Sequence, residues 1–326
     1  MNKVAALDDW QGVARQSADW SKLQARAEVV FFEQPLGAAD AIAQTLADFE
    51  IIIAMRERTA FPATLIARLP KLRMIALTGS RTWTMDMDAC NARGIVVCNT
   101  GGEKSGAATA EITLGLLLSV VRSIPGADAS MRKGRFQTGV PAGDVLEGKT
   151  LGVIGLGKIG SRMARYGQAL GMRVVAWSQN LSIEKAQAAG ATLVDKATLL
   201  AESDAITLHL VLSDRTRGIL AAQDLAVMKR GAVLINTSRG PLVDEAALLE
   251  SLRSGRIRAG LDVYAQEPLP ADHPLRGMSN VVLTPHLGYC AQEVYRQFYS
   301  ESIENVLAFL NGNPMRVLNS EGLQKK

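Results

Sequence analysis

Leu151-Gly152-Val153-Ile154-Gly155-Leu156-Gly157-Lys158-Ile159-Gly160 is the stretch that decides the reading of this chain. An apolar run stops at Ile154, and three glycines follow at G-x-G-x-x-G spacing. A helical pattern then sets Ile159, Met163, Tyr166 and Leu170 on one face. Gly155 permits a tight turn, Gly157 a close backbone approach to a pyrophosphate, and Gly160 close packing of helix on strand. A helix opened in this way offers unpaired N–H groups at its positive end, where phosphate oxygens are held. Alone, such a turn is weak evidence, because glycine-rich turns are common and an empty βα turn has the same letters. Here strand, turn, helix and a second strand at Arg173–Trp177 follow in order, which is the context a dinucleotide site requires. Leu156, Lys158 and Ile159 are counted with the three glycines as cofactor-side positions.

The end of that second strand bears on which nicotinamide cofactor is meant. An Asp or Glu there would grip the ribose 2′-hydroxyl, but the sequence offers Ser178-Gln179-Asn180. Without a carboxylate a 2′-phosphate meets no like charge, although no Arg stands in the turn and Lys185 is the nearest later cation. The reading leans to NADP over NAD and leaves dual use open.

Working outward, strands are predicted at 205–210, 232–237, 259–263 and 281–284 after the first two, with helices between them. One helix follows Asp244, a good N-cap, and stops before Gly255. Upstream, strands at 3–7, 28–32, 50–54, 74–78 and 95–98 alternate with helical segments such as 38–46 and 63–69. Alternation of this kind predicts βαβ units and parallel sheets. Residues 105–124 read as one long apolar helix ended by Pro125, which would need burial nearly all round, between two domains or two subunits. A final amphipathic helix is predicted over Gln292–Leu310 and would pack back on the first domain. The expected organisation is a discontinuous substrate-binding domain, 1–100 with 287–326, and a cofactor-binding domain, 101–286.

Composition narrows the function classes. The chain has 326 residues, is 48% hydrophobic and 5% aromatic, contains 29 glycines and carries a net charge of +4. Those values suit a globular α/β protein, and scattered Lys and Arg argue against a nucleic-acid surface. Cys90, Cys98 and Cys290 are odd in number and lack C-x-x-C spacing, so neither disulfides nor a metal site is expected. With no leader pattern at the N-terminus and no apolar stretch longer than 112–121, which is too short to span a bilayer, a cytoplasmic protein is expected.

Hydride transfer to or from an alcohol carbon needs a group that moves the hydroxyl proton, which favours histidine. The chain has His209, His273 and His286. His273 lies between Asp272 and Pro274 and reads as an exposed loop residue. His209 falls near the end of a predicted buried strand, where lining the nicotinamide pocket and simple packing are equal readings. His286, in Thr284-Pro285-His286-Leu287-Gly288, follows a strand directly, and strand ends are where open α/β sheets place ligands. At another strand end, Asn236-Thr237-Ser238-Arg239-Gly240 offers a guanidinium able to fork onto a carboxylate, with a surface ion pair as the alternative. A third, Gly260-Leu261-Asp262-Val263-Tyr264-Ala265-Gln266-Glu267-Pro268, offers Glu267, which could hold His286 by its other ring nitrogen or simply be a solvated loop carboxylate.

These four motifs, in this order along nearly the whole chain, resemble the D-isomer-specific 2-hydroxyacid dehydrogenases, which include phosphoglycerate dehydrogenases and glyoxylate/hydroxypyruvate reductases. The resemblance implies an α/β fold of two doubly wound parallel-sheet domains, a Rossmann dinucleotide-binding domain and a flavodoxin-like substrate domain. It implies NAD(P)-dependent interconversion of a small 2-oxo acid and a D-2-hydroxy acid, with glyoxylate or hydroxypyruvate favoured because no separate phosphate-binding cluster is apparent. Arg239 would bind the substrate carboxylate and carbonyl, His286 would be the acid/base and Glu267 its partner. Asp262, His209, Thr237, Ser238 and Gly288 would lie on the cofactor side. Arg56, Gly79, Ser80 and Arg81 would join Arg239 on the substrate side. A homodimer is implied, with the helix at 106–124 contributing to the contact.

Departures from the family pattern fall at Ser80-Arg81, at Trp83, at Val211 where a Pro is common, and at Tyr289 where a small residue is common. The resemblance also covers formate and phosphite dehydrogenases and cofactor-sensing regulators of the corepressor type. Glu267 speaks against formate chemistry, whose enzymes carry Gln at the partner position.

Overall fold

The structure is a computed structural model that describes residues 1–79 and 84–320. Ser80, Arg81 and Trp83, singled out above, lie outside the described residues. The chain divides into two units, one formed by Met1–Lys104 with Ala291–Lys326 and the other by Ser105–Cys290.

In the first unit five parallel strands, β1 (Asn2–Ala6), β2 (Ala27–Phe31), β3 (Ile51–Ala54), β4 (Met74–Leu77) and β5 (Val96–Asn99), are ordered β2-β1-β3-β4-β5. This is the flavodoxin-like order, which reverses direction between β1 and β3. Strands β3 and β4 are buried along their whole length, as unbroken apolar runs in a two-sided parallel sheet should be. The terminal helix Gln292–Leu310 belongs to this unit and buries Phe298, Tyr299 and Val306.

The second unit holds seven parallel strands, β6 (Thr150–Ile154), β7 (Arg173–Trp177), β8 (Thr192–Leu193), β9 (Ala205–Leu208), β10 (Val233–Asn236), β11 (Arg258–Leu261) and β12 (Val281–Leu283). Their order, β12-β11-β10-β9-β6-β7-β8, is the Rossmann pattern extended by one strand, with its reversal between β6 and β9. Register places Ile154, Leu208, Asn236, Leu261 and Leu283 in one row across five strands. At the usual inter-strand spacing that row is about 19 Å long. One residue further along, the five strand ends carry Gly155, His209, Thr237, Asp262 and Thr284.

Three expectations need correction. The long helix ends at Arg122; Ser123 turns the chain at φ +51°, and a second helix, Ile124–Arg132, starts with Pro125 in its first turn. Proline fits there because the first-turn N–H groups have no intrahelical acceptor. The first of these helices, Ser105–Arg122, spans 18 residues and is long and apolar enough by composition to cross a membrane, unlike the shorter stretch read from the sequence. Within this chain Leu116, Leu117, Val120 and Val121 of that helix enter the core, whereas Glu111 and Gly115 are exposed. Strand β8 has no counterpart among the predicted strands, since two residues at a sheet edge carry too little pattern.

Candidate active site

Gly155 takes φ +94°, and a Cβ there would stand 2.7 Å from the His209 carbonyl oxygen, so the turn at the strand-order reversal admits only glycine. At Gly160 a Cβ would stand 2.0 Å from the Gly155 carbonyl oxygen, which is the close helix-on-strand packing expected of the third glycine. Gly157 differs: the space a Cβ would occupy has nothing within 4 Å. Gly157 is the N-cap of the twelve-residue helix Lys158–Ala169, whose first N–H groups have no intrahelical acceptor. The cradle therefore fits a pyrophosphate, held by backbone rather than by side chains. Leu156 and Ile159 are half-buried and Lys158 is exposed. At the end of β7, Ser178 is half-buried and Gln179 and Asn180 are exposed.

His209 hydrogen-bonds through its backbone N–H to the Ile154 carbonyl at the same reversal. Both its ring nitrogens are buried with no hydrogen-bond partner among the described residues, and burial pushes its pKa down to about 3. The ring is thus neutral, with one N–H and one lone pair to satisfy. Thr237 and Ser238, beyond β10, spend their hydroxyls inside the unit, on Thr113 Oγ1 at 2.8 Å and on the Leu208 carbonyl at 3.0 Å.

Asp262 is fully buried, and its carboxylate organises the loop that carries His286. It accepts from Thr284 Oγ1 at 2.6 Å and from the backbone N–H groups of Leu287 at 2.7 Å and Gly288 at 2.8 Å. Burial raises its pKa, opposed by those hydrogen bonds and by the charge of His286. His286 itself is held at φ +56°, a conformation non-glycine residues adopt only when surroundings impose it. Its Nδ1 stands 2.6 Å from Glu267 Oε2, and the Tyr289 ring meets its imidazole edge to face at 5.7 Å.

Glu267 is fixed a second time, by the Tyr264 N–H donating to Oε1 at 2.9 Å. Burial pulls its pKa up, but the hydrogen bond and charge of His286, the Tyr264 N–H and the charge of Arg239 outweigh it, so the carboxyl is held below its ordinary range. Arg239 is half-buried, its backbone carbonyl accepts from Asn236 Nδ2, and its Nη1 donates to the Ser238 carbonyl at 2.6 Å. An imidazole–carboxylate pair and a guanidinium whose charge reaches it thus stand at neighbouring strand ends.

Arg56 and Gly79 belong to the first unit, where Arg56 packs so closely on Gly79 that a Cβ there would meet its Nη1 at 1.8 Å. His273 is not an exposed loop residue. Its side chain is 14% exposed, caps a 3-10 turn by accepting from the Leu275 N–H, and lies 3.5 Å from Glu245. Sequence reasoning passed over Tyr264 and Thr113; the first lay inside a quoted motif, and the second, distant in sequence, carried no signal.

Comparison with known proteins agrees with this geometry. Residues 114–288 match the family described as "D-isomer specific 2-hydroxyacid dehydrogenase, NAD binding domain". The chain is 39% identical over 266 residues to a glyoxylate reductase of Aeropyrum pernix, covering 79% of each chain. It is 38% identical over 261 residues to a D-3-phosphoglycerate dehydrogenase of Methanocaldococcus jannaschii, covering 78% of this chain and 49% of that protein, so it spans about half the length of such relatives. The crystal structure of a phosphoglycerate oxidoreductase from Vibrio cholerae superposes with a TM-score of 0.91 at 36% identity, covering 96% of this chain and 100% of the other. The chain belongs to the D-isomer specific 2-hydroxyacid dehydrogenase family.

Proposed function

We propose that the protein is an NAD(P)-dependent dehydrogenase that interconverts a small 2-oxo acid and its D-2-hydroxy acid, of the glyoxylate or hydroxypyruvate type. The observation that carries the reading is the 2.6 Å contact between His286 Nδ1 and Glu267 Oε2, on the same sheet edge as the glycine turn. An ionised Glu267 can only accept, so Nδ1 carries the hydrogen and Nε2 is left to exchange a proton with the substrate oxygen. Glu267 stabilises the imidazolium whenever Nε2 is protonated. Arg239 binds the substrate carboxylate and draws electron density from the adjacent carbonyl. Arg56 and Gly79 keep their substrate-side assignment in this reading, as do Ser80 and Arg81.

The turn at 155–160, with His209, Thr237, Ser238, Asp262 and Gly288 along the sheet edge, would hold the nicotinamide dinucleotide. Bound there, a reduced nicotinamide supplies the hydride that the 2-oxo carbon takes up. The open space at Gly157 and the unsatisfied nitrogens of His209 support that placement. The absence of a carboxylate at 178–180 supports NADP use over NAD. A homodimer is part of the same reading: Ile124, Met131, Phe136 and Val145, on and after the second helix, are 50 to 73% exposed, more apolar surface than a short stretch usually leaves in water. Free thiols at all three cysteines suit a reducing cytoplasm.

The test is the loss of nicotinamide absorbance when purified protein, with NADH or NADPH, meets a panel of 2-oxo acids. Turnover of glyoxylate or hydroxypyruvate that His286→Gln abolishes is the expected result. Negligible turnover across the panel, with tight dinucleotide binding, would mean the fold serves as a cofactor sensor.

A further inference from the structure

A ring held along one edge can still tilt about that edge. The His286 imidazole is anchored at Cγ by its own chain and at the adjoining Nδ1 by Glu267 Oε2, 2.6 Å away. Nε2, the atom left to meet a substrate oxygen, lies on the far side of the ring and swings as the ring tilts. A lateral contact is needed to settle the plane, and the Tyr289 ring supplies one. Its centroid lies 5.7 Å from that of the imidazole with the two planes 70° apart, an edge-to-face arrangement that such rings favour. The chain brings Tyr289 there through a turn braced by other groups. The Cys290 N–H donates to the Leu287 carbonyl at 2.8 Å, closing a four-residue turn over Gly288 and Tyr289. Gly288 is tied on both sides, its N–H donating to Asp262 Oδ2 at 2.8 Å and its carbonyl accepting from Thr109 Oγ1 at 2.9 Å. The Cys290 thiol reaches back to the His286 carbonyl at 3.7 Å. All of these residues belong to the second unit.

We propose, resting on the functional reading above, that Tyr289 is a positioning residue: its ring fixes the tilt of the His286 imidazole and so the direction in which Nε2 exchanges a proton. The work is divided between two neighbours. Glu267 sets the tautomer and favours the charged form, whereas Tyr289 sets the plane. Hydrogen bonds weaken steeply off their axis, and a small misplacement of a reacting group costs rate out of proportion to its size. An imidazole free to tilt presents Nε2 in the productive direction only part of the time, even with its bond to Glu267 intact. The left-handed backbone of His286 and the ties on Gly288 hold the two rings at a set separation before any substrate arrives.

The experiment pairs kinetics with the histidine Hε1 resonances of wild type, Tyr289→Leu and Tyr289→Phe, using the 2-oxo acid that wild type reduces fastest. The chain has three histidines, so three such signals are expected, and the one missing from His286→Gln belongs to His286. Tyr289→Leu should lower kcat about tenfold with KM held within about twofold, a fraction of what removing the acid/base itself costs. Tyr289→Phe restores the ring and should recover at least about half of the wild-type kcat. In Tyr289→Leu the His286 signal alone should move, with those of His209 and His273 in place, and in Tyr289→Phe it should return towards its wild-type position. The inference is overturned if Tyr289→Leu keeps the wild-type kcat, if its loss lies in KM alone, if Phe behaves as Leu does, or if all three signals move together. A wild type that reduces no 2-oxo acid would instead bring down the functional reading itself, and this inference with it.

Discussion

His286 Nδ1 and Glu267 Oε2 stand 2.6 Å apart, and each partner is held from outside the pair. The loop around His286 is tied to Asp262, and Glu267 to the Tyr264 N–H. Neither side chain needs substrate to find the other, so orientation is settled before binding.

From that pre-set pair, His286→Gln should lower kcat by about 10²–10⁴-fold, the range lost when a positioned acid/base is removed. Glu267→Gln keeps the shape but loses the charge that favours imidazolium, and should lower kcat substantially with little change in KM. The pH dependence follows from Glu267, whose folded value lies below the ordinary 4.5. Its contribution to stability is present above the unfolded value and is lost as pH falls through the folded one. Thermal melts of wild type and Glu267→Gln between pH 3 and pH 6 should therefore converge on the acid side. Parallel curves throughout would show that the carboxylate is not ionically coupled.

Asp262 should matter to stability more than its distance from solvent suggests. Asp262→Ala leaves the buried N–H of Gly288, the part-buried N–H of Leu287 and the Thr284 hydroxyl without their acceptor, a loss on the order of 3 kcal/mol. For a domain of this size that corresponds to a melting temperature lower by roughly 5–10 °C. The loop it releases carries His286, so kcat should fall as well. An unchanged melting temperature would contradict the three hydrogen bonds.

Much of this edge was legible because a buried parallel strand is written as an apolar run and stops abruptly. Ile154 to Gly155, Ile235 to Asn236 and Leu283 to Thr284 are such stops, and each hands over to residues of the candidate site. Less legible was whatever depends on long-range contact. The Thr113 hydroxyl meets Thr237 across 124 positions, and no local pattern announces it. His209 reads as pocket or packing from sequence, and the burial of both its ring nitrogens without a hydrogen-bond partner among the described residues has no local sequence signal. Pro125 misled because proline both ends helices and begins them; the left-handed turn at Ser123 that decides the matter has no sequence signature of its own.

Two glycines of the turn should separate binding from folding. Gly157→Ala adds a methyl into open space, so the melting temperature should hold while the dinucleotide dissociation constant rises at least tenfold, read by calorimetry. Gly160→Ala forces a methyl against the Gly155 carbonyl and should destabilise the fold itself, by about 1–3 kcal/mol. If both variants melt alike and bind alike, the turn is not the cradle described.

Thiol reactivity offers an independent check of the core. Burial pushes the Cys90 and Cys98 thiols up to about 11 and about 12, whereas Cys290 is half-buried. Thiolate is the reactive form, so alkylation of native protein at pH 8 should label Cys290 first and reach the other two only after unfolding. Mass spectrometry of the labelled peptides reads this directly.

Cofactor choice turns on the three residues at the carboxyl end of β7. Ser178 is half-buried at that strand end, and Gln179 and Asn180 are exposed beside it, so the position that would meet the adenosine ribose carries no charge. Ser178→Asp supplies an acceptor for a 2′-hydroxyl and repels a 2′-phosphate. The ratio of kcat/KM for NADPH over NADH should then fall by about tenfold or more, through KM rather than kcat, because the change lies far from the hydride-transferring end. A ratio that does not move would mean the ribose is read by other residues, and the argument from 178–180 to NADP would lose its footing while the catalytic assignments stood untouched.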